Sequence, residues 1–425
     1  MEGGFTYSLP TSFLDGNRKH FLFEGADLGS GELVLTVSRT NGSATTIIAQ
    51  TSERLDLRDI RELYEQAAVI DVIQKWPAMV QQPTNSNFAV GSYATASIGD
   101  AKQIAVFIHG WRMPYSEHQI FAQTMFKRLY WQGYQGKFAV LRWPTRSTDT
   151  ELFPGMDFIT YNRSEHIAFK SGTGAAAYLM NLRSRFPDYV ISLCAHSMGG
   201  IVTMQTLKEL ALGGQRPLDN VVLMQAAVPS HCFDPNAASH QLFLNGEAEF
   251  PTPDTYRNYA AGVTNALRDG GKIVNFFNPQ DAALLAWEVN QAFRVTNFFG
   301  YGLVTMKANT FLGYYTDGTN SVLRTNELNQ TLLSIAYGGY YGNRPTRSIT
   351  NVIELMPFAT RPRSQAVGQQ AAVRGQILGQ ELNLEIQLGF TGNGIDHSGQ
   401  FNRNIQSPPI WPFYFQLKTN LFPQQ

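Results

Sequence analysis

The chain has 425 residues, 43 % of them hydrophobic and 16 % charged, a balance that fits one large globular core or a few smaller ones. Thirty-three Lys and Arg offset 33 Asp and Glu, which removes the electrostatic case for a nucleic-acid partner or an anionic membrane surface. Two cysteines, Cys194 and Cys232, allow one bridge but make neither a disulfide framework nor a zinc cluster.

The first residues, 1–16, lack a basic stretch followed by an apolar one, and no apolar run approaches the roughly 20 residues of a membrane span. The chain as given is therefore expected to be soluble and cytoplasmic, unless it is a piece of an exported protein. Residues 1–97 read as a β-rich lead-in packing on the domain that follows. Leu33–Val37 and Thr45–Ala49 are β-type runs separated by the turn pair Asn41-Gly42. The spacing predicts a short helix over 58–68 and a loop over 81–87.

From about residue 98 onward a single α/β domain is expected, in which strands and helices alternate. Ile104–Ile108 is a continuous apolar run, as a strand buried on both faces requires. Residues 117–131 carry Ile120, Phe121, Met125 and Leu129 at helical spacing. A strand at Phe138–Leu141 and a helix over 165–185 follow, the helix rich in small residues that permit close packing. Further strands are predicted at 189–195, 220–225 and 272–277. This order implies a mostly parallel sheet with helices on both faces.

Residues from about 285 to 345 break the rhythm and are rich in Gly, Asn and aromatic side chains, including Phe298, Phe299, Tyr301 and Tyr340. They read as an insertion whose rings pack among themselves or cap a cleft. Beyond it, either Asn351–Leu355 or the alternating run Leu382–Leu388 supplies the last core strand, and the pattern leaves both open.

The segment that carries chemistry is Val190-Ile191-Ser192-Leu193-Cys194-Ala195-His196-Ser197-Met198-Gly199-Gly200-Ile201-Val202. An apolar strand runs through a tight turn containing Ser197 into an amphipathic helix. Small residues two before and two after the serine, Ala195 and Gly199, let strand and helix approach closely. The turn lifts the hydroxyl above the sheet edge, and the helix N-terminus directs partial positive charge at the reacting centre.

At these residues the chain resembles the α/β-hydrolase family, in particular its esterase and lipase branch, over roughly residues 102–415. The departure is Ala195, where a glycine is usual. The resemblance implies an α/β-hydrolase fold, with Ser197 as nucleophile and the order serine, acid, histidine along the chain. The first core strand ends in His109-Gly110-Trp111, and by the same resemblance the oxyanion donors are the backbone N–H groups of Trp111 and Met198. His109 itself is expected to shape the loop. Trp111 and His196 are placed among the groups that contact substrate.

By the same resemblance the acid is expected after the strand at 272–277, which points to Asp281; Asp234 and Asp254 are substitutes further from a strand end. Asp281 also suits the N-cap of a following helix. Of eight histidines only His397 follows Asp281, in the turn-rich run Gly392–Phe401, which is similar to the histidine loop of some bacterial members. His397 is the expected general base; Asp396 beside it has poor geometry for the same imidazole.

No phosphate-binding glycine loop or His-Glu-x-x-His zinc motif is present, so neither cofactor nor metal is expected. The leading reading is a carboxylic ester hydrolase acting on a small-molecule or polymeric ester. An amidase, peptidase or acyltransferase on the same three residues, and a non-catalytic binding module, are the alternatives.

Overall fold

In the computed structural model, which describes residues 7–9, 16, 28–70, 87–90, 101–145, 157–228, 259, 262–279, 281, 283–284, 292–295, 304–307, 367, 378–388, 396–404 and 407–423, the apolar runs of the middle of the chain form one sheet. Its strands are β3 (Glu65–Ile70), β4 (Asn87–Val90), β5 (Gln103–Ile108), β6 (Lys137–Arg142), β7 (Val190–His196), β8 (Leu218–Met224), β9 (Leu267–Phe277) and β12 (Leu378–Asn383). They lie side by side in the order β12-β9-β8-β7-β5-β6-β3-β4. Every neighbouring pair is parallel except β3 and β4, so the antiparallel pairing is confined to one edge.

Strand periodicity sorts the core into two layers. Ile104, Val106 and Ile108 of β5 face the same side as Leu193 and Ala195 of β7. There they meet α2 (Asp157–Arg185) and α3 (Gly199–Leu212). Ala105 and Phe107 face the other side, with Cys194, Val222 and Phe276. There they meet α1 (Tyr115–Trp131) and the C-terminal helix (Ile410–Leu421). A parallel sheet covered on both faces needs apolar residues on both sides of each strand, which is why these strands read as unbroken apolar runs. The small residues of α2 serve its contact with α3: a Cβ built on Gly172 would lie 2.5 Å from the Gln205 side chain.

Two remaining pairs stand apart in their hydrogen bonding. β1 (Gly29–Asn41) and β2 (Ala44–Leu57) form an antiparallel hairpin whose turn is Gly42-Ser43, one residue on from the expected pair. Gly42 takes φ +62°, a conformation that costs glycine nothing sterically. β10 (Ala292–Val295) and β11 (Val304–Lys307) pair antiparallel within the aromatic-rich region, whose other residues lie outside those described.

Two sequence expectations are corrected. Residues 58–68 do not form one helix. The Asp59 side chain caps a single 3-10 turn at Ile60–Glu62, and β3 begins at Glu65. The Arg, Glu, Leu and Ala residues there favour helix, but pairing with β6 and burial of Ala67 and Val69 override that preference. Two strands from before residue 97 thus belong to the main sheet.

The alternating run Leu382–Leu388 is also not a strand throughout. After Asn383 it turns into helix α4 (Leu384–Leu388), with the Asn383 side chain accepting the Glu385 N–H at 3.0 Å. The strand that extends the sheet beyond β9 is 378–383. Residues 81–86 and 351–355 lie outside the described residues. Among the described residues no helix is long and apolar enough to cross a membrane.

Candidate active site

The site is built where β5, β7, β8 and β9 end. β7 delivers Ser197 into the turn before α3, and its backbone takes φ +53°, a left-handed conformation rare for serine. The surrounding bonds hold that strain. The Ser197 N–H donates to the Met224 carbonyl at 3.0 Å, and the Ser197 carbonyl accepts from Ala227 and Gly200, each at 2.9 Å. The turn closes only because Gly199 has no side chain: a Cβ there would lie 2.5 Å from the His109 carbonyl oxygen. Backbone strain held by local bonds gives this strand-to-helix turn the shape of a sharp elbow.

The three residues expected to act together are brought together. The Ser197 hydroxyl donates to Nε2 of His397 at 2.8 Å, and Nδ1–H of His397 donates to Oδ2 of Asp281 at 2.6 Å. Asp281 is fully buried, whereas the His397 side chain retains 18 % exposure. Oδ1 of Asp281 accepts the N–H groups of Ala283 and Leu284, so the carboxylate also caps the turn behind it. Burial alone would raise the pKa of this carboxyl. The charge and hydrogen bond of His397, then bonds from Gln225 and Leu284, outweigh burial and hold it below the ordinary value of 3.8.

The loop after β5 abuts the serine. A Cβ on Gly110 would lie 2.9 Å from Cβ of Ser197, so no larger residue fits between loop and elbow. Nδ1–H of His109 donates to the Gly110 carbonyl at 2.8 Å, and Nε2 accepts the Trp143 N–H at 3.2 Å. Both nitrogens are thus committed to backbone, and burial, with His118 close by, keeps the ring neutral by pushing its pKa well below 6.5. In a trans peptide the carbonyl and the following N–H point in opposite directions. Tying down the Gly110 carbonyl therefore turns the Trp111 N–H away from the His109 ring. Trp111 is partly buried against the apolar layer, with the Arg112 guanidinium 5.7 Å from its ring. Met198 is fully buried at the start of α3.

His196, placed by sequence among the substrate-contacting groups, is only 3 % exposed, and its Nε2–H donates to the backbone carbonyl of His397 at 2.8 Å. Its ring faces inward against Phe121 and Phe401. Cys194 is a buried free thiol in β7. The alternatives Asp234 and Asp254, and Cys232, lie outside the described residues, as does the side chain of Asp396. Among the described residues no group of three or more His, Cys, Asp or Glu side chains is placed to hold a metal.

Two participants escaped sequence reasoning. Gln225, at the end of β8, donates its amide to Asp281 at 2.8 Å from 56 positions away. Arg128 of α1 is buried and donates to the carbonyls of Gln400 and Arg403, which flank the histidine from the C-terminal side. A polar residue at a strand end and an arginine on the apolar face of a helix are the only local hints of either.

A parallel sheet flanked by helices on both faces, with a strained serine between β7 and α3, defines an α/β-hydrolase fold. Residues 93–286 match the family described as an alpha/beta hydrolase of unknown function (DUF900). No curated protein sequence matches the chain. Among solved structures, an esterase from Pyrobaculum calidifontis is 15 % identical, with 42 % of this chain and 59 % of that one covered and a TM-score of 0.26. A hormone-sensitive lipase from a metagenome library is 14 % identical over 42 % of this chain and 59 % of its own, with a TM-score of 0.23. The RedJ thioesterase of Streptomyces coelicolor is 16 % identical over 42 % of this chain and 70 % of its own, also at a TM-score of 0.23. The chain thus spans about 59 % of the length of the esterase and the lipase.

Proposed function

We propose that the protein is a serine hydrolase that cleaves carboxylic esters through an acyl-enzyme on Ser197. The observation that carries this reading is the unbroken series Ser197 hydroxyl, His397 imidazole and Asp281 carboxylate, with successive distances of 2.8 Å and 2.6 Å.

In the reaction, the Ser197 oxygen attacks the ester carbonyl carbon while Nε2 of His397 takes its proton. Asp281 keeps the imidazole proton on Nδ1 and stabilises the imidazolium as it forms. The N–H groups of Trp111 and Met198 are assigned to the oxyanion of the tetrahedral intermediate; the fixed Gly110 carbonyl and the contact between Gly110 and Ser197 support that assignment. Collapse expels the alcohol, which receives the proton from Nε2. Water then repeats the sequence on the acyl-enzyme, releasing the carboxylic acid and restoring Ser197.

The test is labelling by a fluorophosphonate probe, with turnover of short p-nitrophenyl esters and a matched p-nitroanilide, for wild type, Ser197→Ala and His397→Ala. Labelling and ester turnover in wild type, both lost in the two variants, is the expected result. A wild type that neither labels nor turns over any ester overturns the reading. Faster cleavage of the anilide than of the ester moves the substrate class to amides.

A further inference from the structure

His196 is the last residue of β7 and the immediate neighbour of the nucleophile. With Nε2–H given to the His397 carbonyl, its Nδ1 is a buried lone pair without a hydrogen-bond partner, beside Gly110. The ring is held edge-on by Phe401 at 5.2 Å and lies 4.7 Å from the His397 ring, centre to centre. A buried imidazole with one nitrogen unused costs stability relative to an apolar side chain of similar shape, so its packing alone does not explain it.

The placement of the bond does. The segment 396–404 is gripped at several points. Arg128 holds the carbonyls of Gln400 and Arg403, and the Tyr414 hydroxyl donates to the Gln400 carbonyl at 2.9 Å. Those anchors act three and six residues beyond the imidazole that must reach Ser197. At residue 397 itself, the His196 bond at 2.8 Å is the short one; the Gln400 amide lies 3.5 Å from the same carbonyl. His196 also sits on the rigid side of the contact, because the adjacent Ser197 backbone is bonded to β8 and to the turn after it.

We propose that His196 is a positioning residue: its Nε2–H on the His397 carbonyl locks the histidine segment to the elbow and sets the reach of the His397 imidazole to the Ser197 hydroxyl. This rests on the serine-hydrolase reading above. A histidine suits the task because it offers one rigid N–H donor at the correct reach. It also stays uncharged there: burial first, and then the neighbouring His397, hold its pKa down to about 3. It therefore places no second positive charge beside His397 when that ring takes the serine proton.

The experiment compares wild type with His196→Gln, His196→Asn and His196→Phe in the full chain, after thermal melting has shown which variants fold. The readouts are fluorophosphonate labelling rate, kcat and KM on a p-nitrophenyl ester, and the far-downfield proton resonance of the His397–Asp281 hydrogen bond, identified by its loss in Asp281→Asn. Gln carries its N–H near the Nε2 position, whereas Asn is too short. The expected result is kcat and labelling lowered by about 10- to 100-fold in His196→Asn and His196→Phe with KM within about twofold, and recovery to within about fivefold in His196→Gln. The downfield resonance should shift or broaden in the two impaired variants and return in His196→Gln.

Folded His196→Asn with wild-type kcat and an unmoved resonance overturns the proposal. So does a rise in KM at constant kcat, which would make His196 a substrate contact. If wild type neither labels nor turns over ester, the hydrolase reading has failed separately. The resonance then decides the positioning claim: unchanged in His196→Asn, it removes the claim.

Discussion

Gln225 donates its side-chain amide to Oδ2 of Asp281 at 2.8 Å, the same oxygen that accepts Nδ1–H of His397 at 2.6 Å. One carboxylate oxygen thus serves both the imidazole and a buried amide from the neighbouring strand end, while the other is taken up by two backbone N–H groups. Both carboxylate oxygens of Asp281 are thus engaged, and these bonds hold it in the orientation that meets the His397 ring.

Replacing Gln225 with Met should therefore cost about 1–3 kcal/mol of stability, because a buried carboxylate loses a hydrogen bond. The methionine keeps the length of the side chain at a position whose φ is +46°, so the difference reports the loss of the amide. Denaturant unfolding measures it. Unchanged stability would mean that the amide contributes nothing to holding Asp281.

Asp281→Asn should leave the fold intact and lower kcat by about 10⁴-fold, because an amide lets the imidazole proton settle on the wrong nitrogen. Steady-state kinetics on a p-nitrophenyl ester checks this. A loss smaller than tenfold would remove Asp281 from the assigned role.

Arg128→Met should destabilise the protein by about 2–3 kcal/mol and lower kcat more than it alters KM. The buried guanidinium bridges two carbonyls behind the histidine segment and lies 5.6 Å from the Tyr414 ring. Methionine fills the space without donating. Arg128→Lys should rescue little, since an ammonium does not match the fork that spans both carbonyls. Urea midpoints equal to wild type in both variants would contradict the bridge.

Acid should weaken the fold well before carboxylates titrate. His109, His118 and His196 are buried, and burial lowers the pKa of each, to about 3 for His118 and for His196. Unfolded, they bind protons near the ordinary value of 6.5. The unfolded state therefore holds more protons below that pH, and stability falls as pH drops from about 6.5 toward 3, with a limiting slope of about 1.4 kcal/mol per pH unit for each histidine. Asp281 acts later: its lowered folded pKa adds stability above 3.8 that is lost on further acidification. Unfolding free energies between pH 7 and pH 5 measure the slope. His118→Phe should remove about one histidine's share. Neither of its ring nitrogens has a hydrogen-bond partner, so the substitution forfeits no bond.

The strands of the sheet from β5 to β9 were legible because a strand buried on both faces must be apolar throughout, and the tight turn at Ser197 was legible because its needs are local. Small residues flanking the serine, an apolar strand before it and an amphipathic helix after it all lie within 13 residues. β3 was not legible: its helix-forming residues become a strand only through pairing with β6. The 378–383 strand was not legible either, because its companion run switches to helix at an Asn383 cap.

Chain order and residue type by themselves determined the parallel sheet and the serine turn, and the resemblance to the α/β-hydrolase family added the candidates Asp281 and His397. Tertiary structure alone decided that those three side chains form one hydrogen-bonded series, that Gln225 and Arg128 support it, and that His196 faces inward onto the His397 backbone. The physical reason is range. A turn or an amphipathic strand is specified by neighbours a few residues apart. A hydrogen bond between positions 196 and 397, or 225 and 281, depends on how distant strand ends and loops are brought to the same edge of the sheet, and that geometry has no local signature.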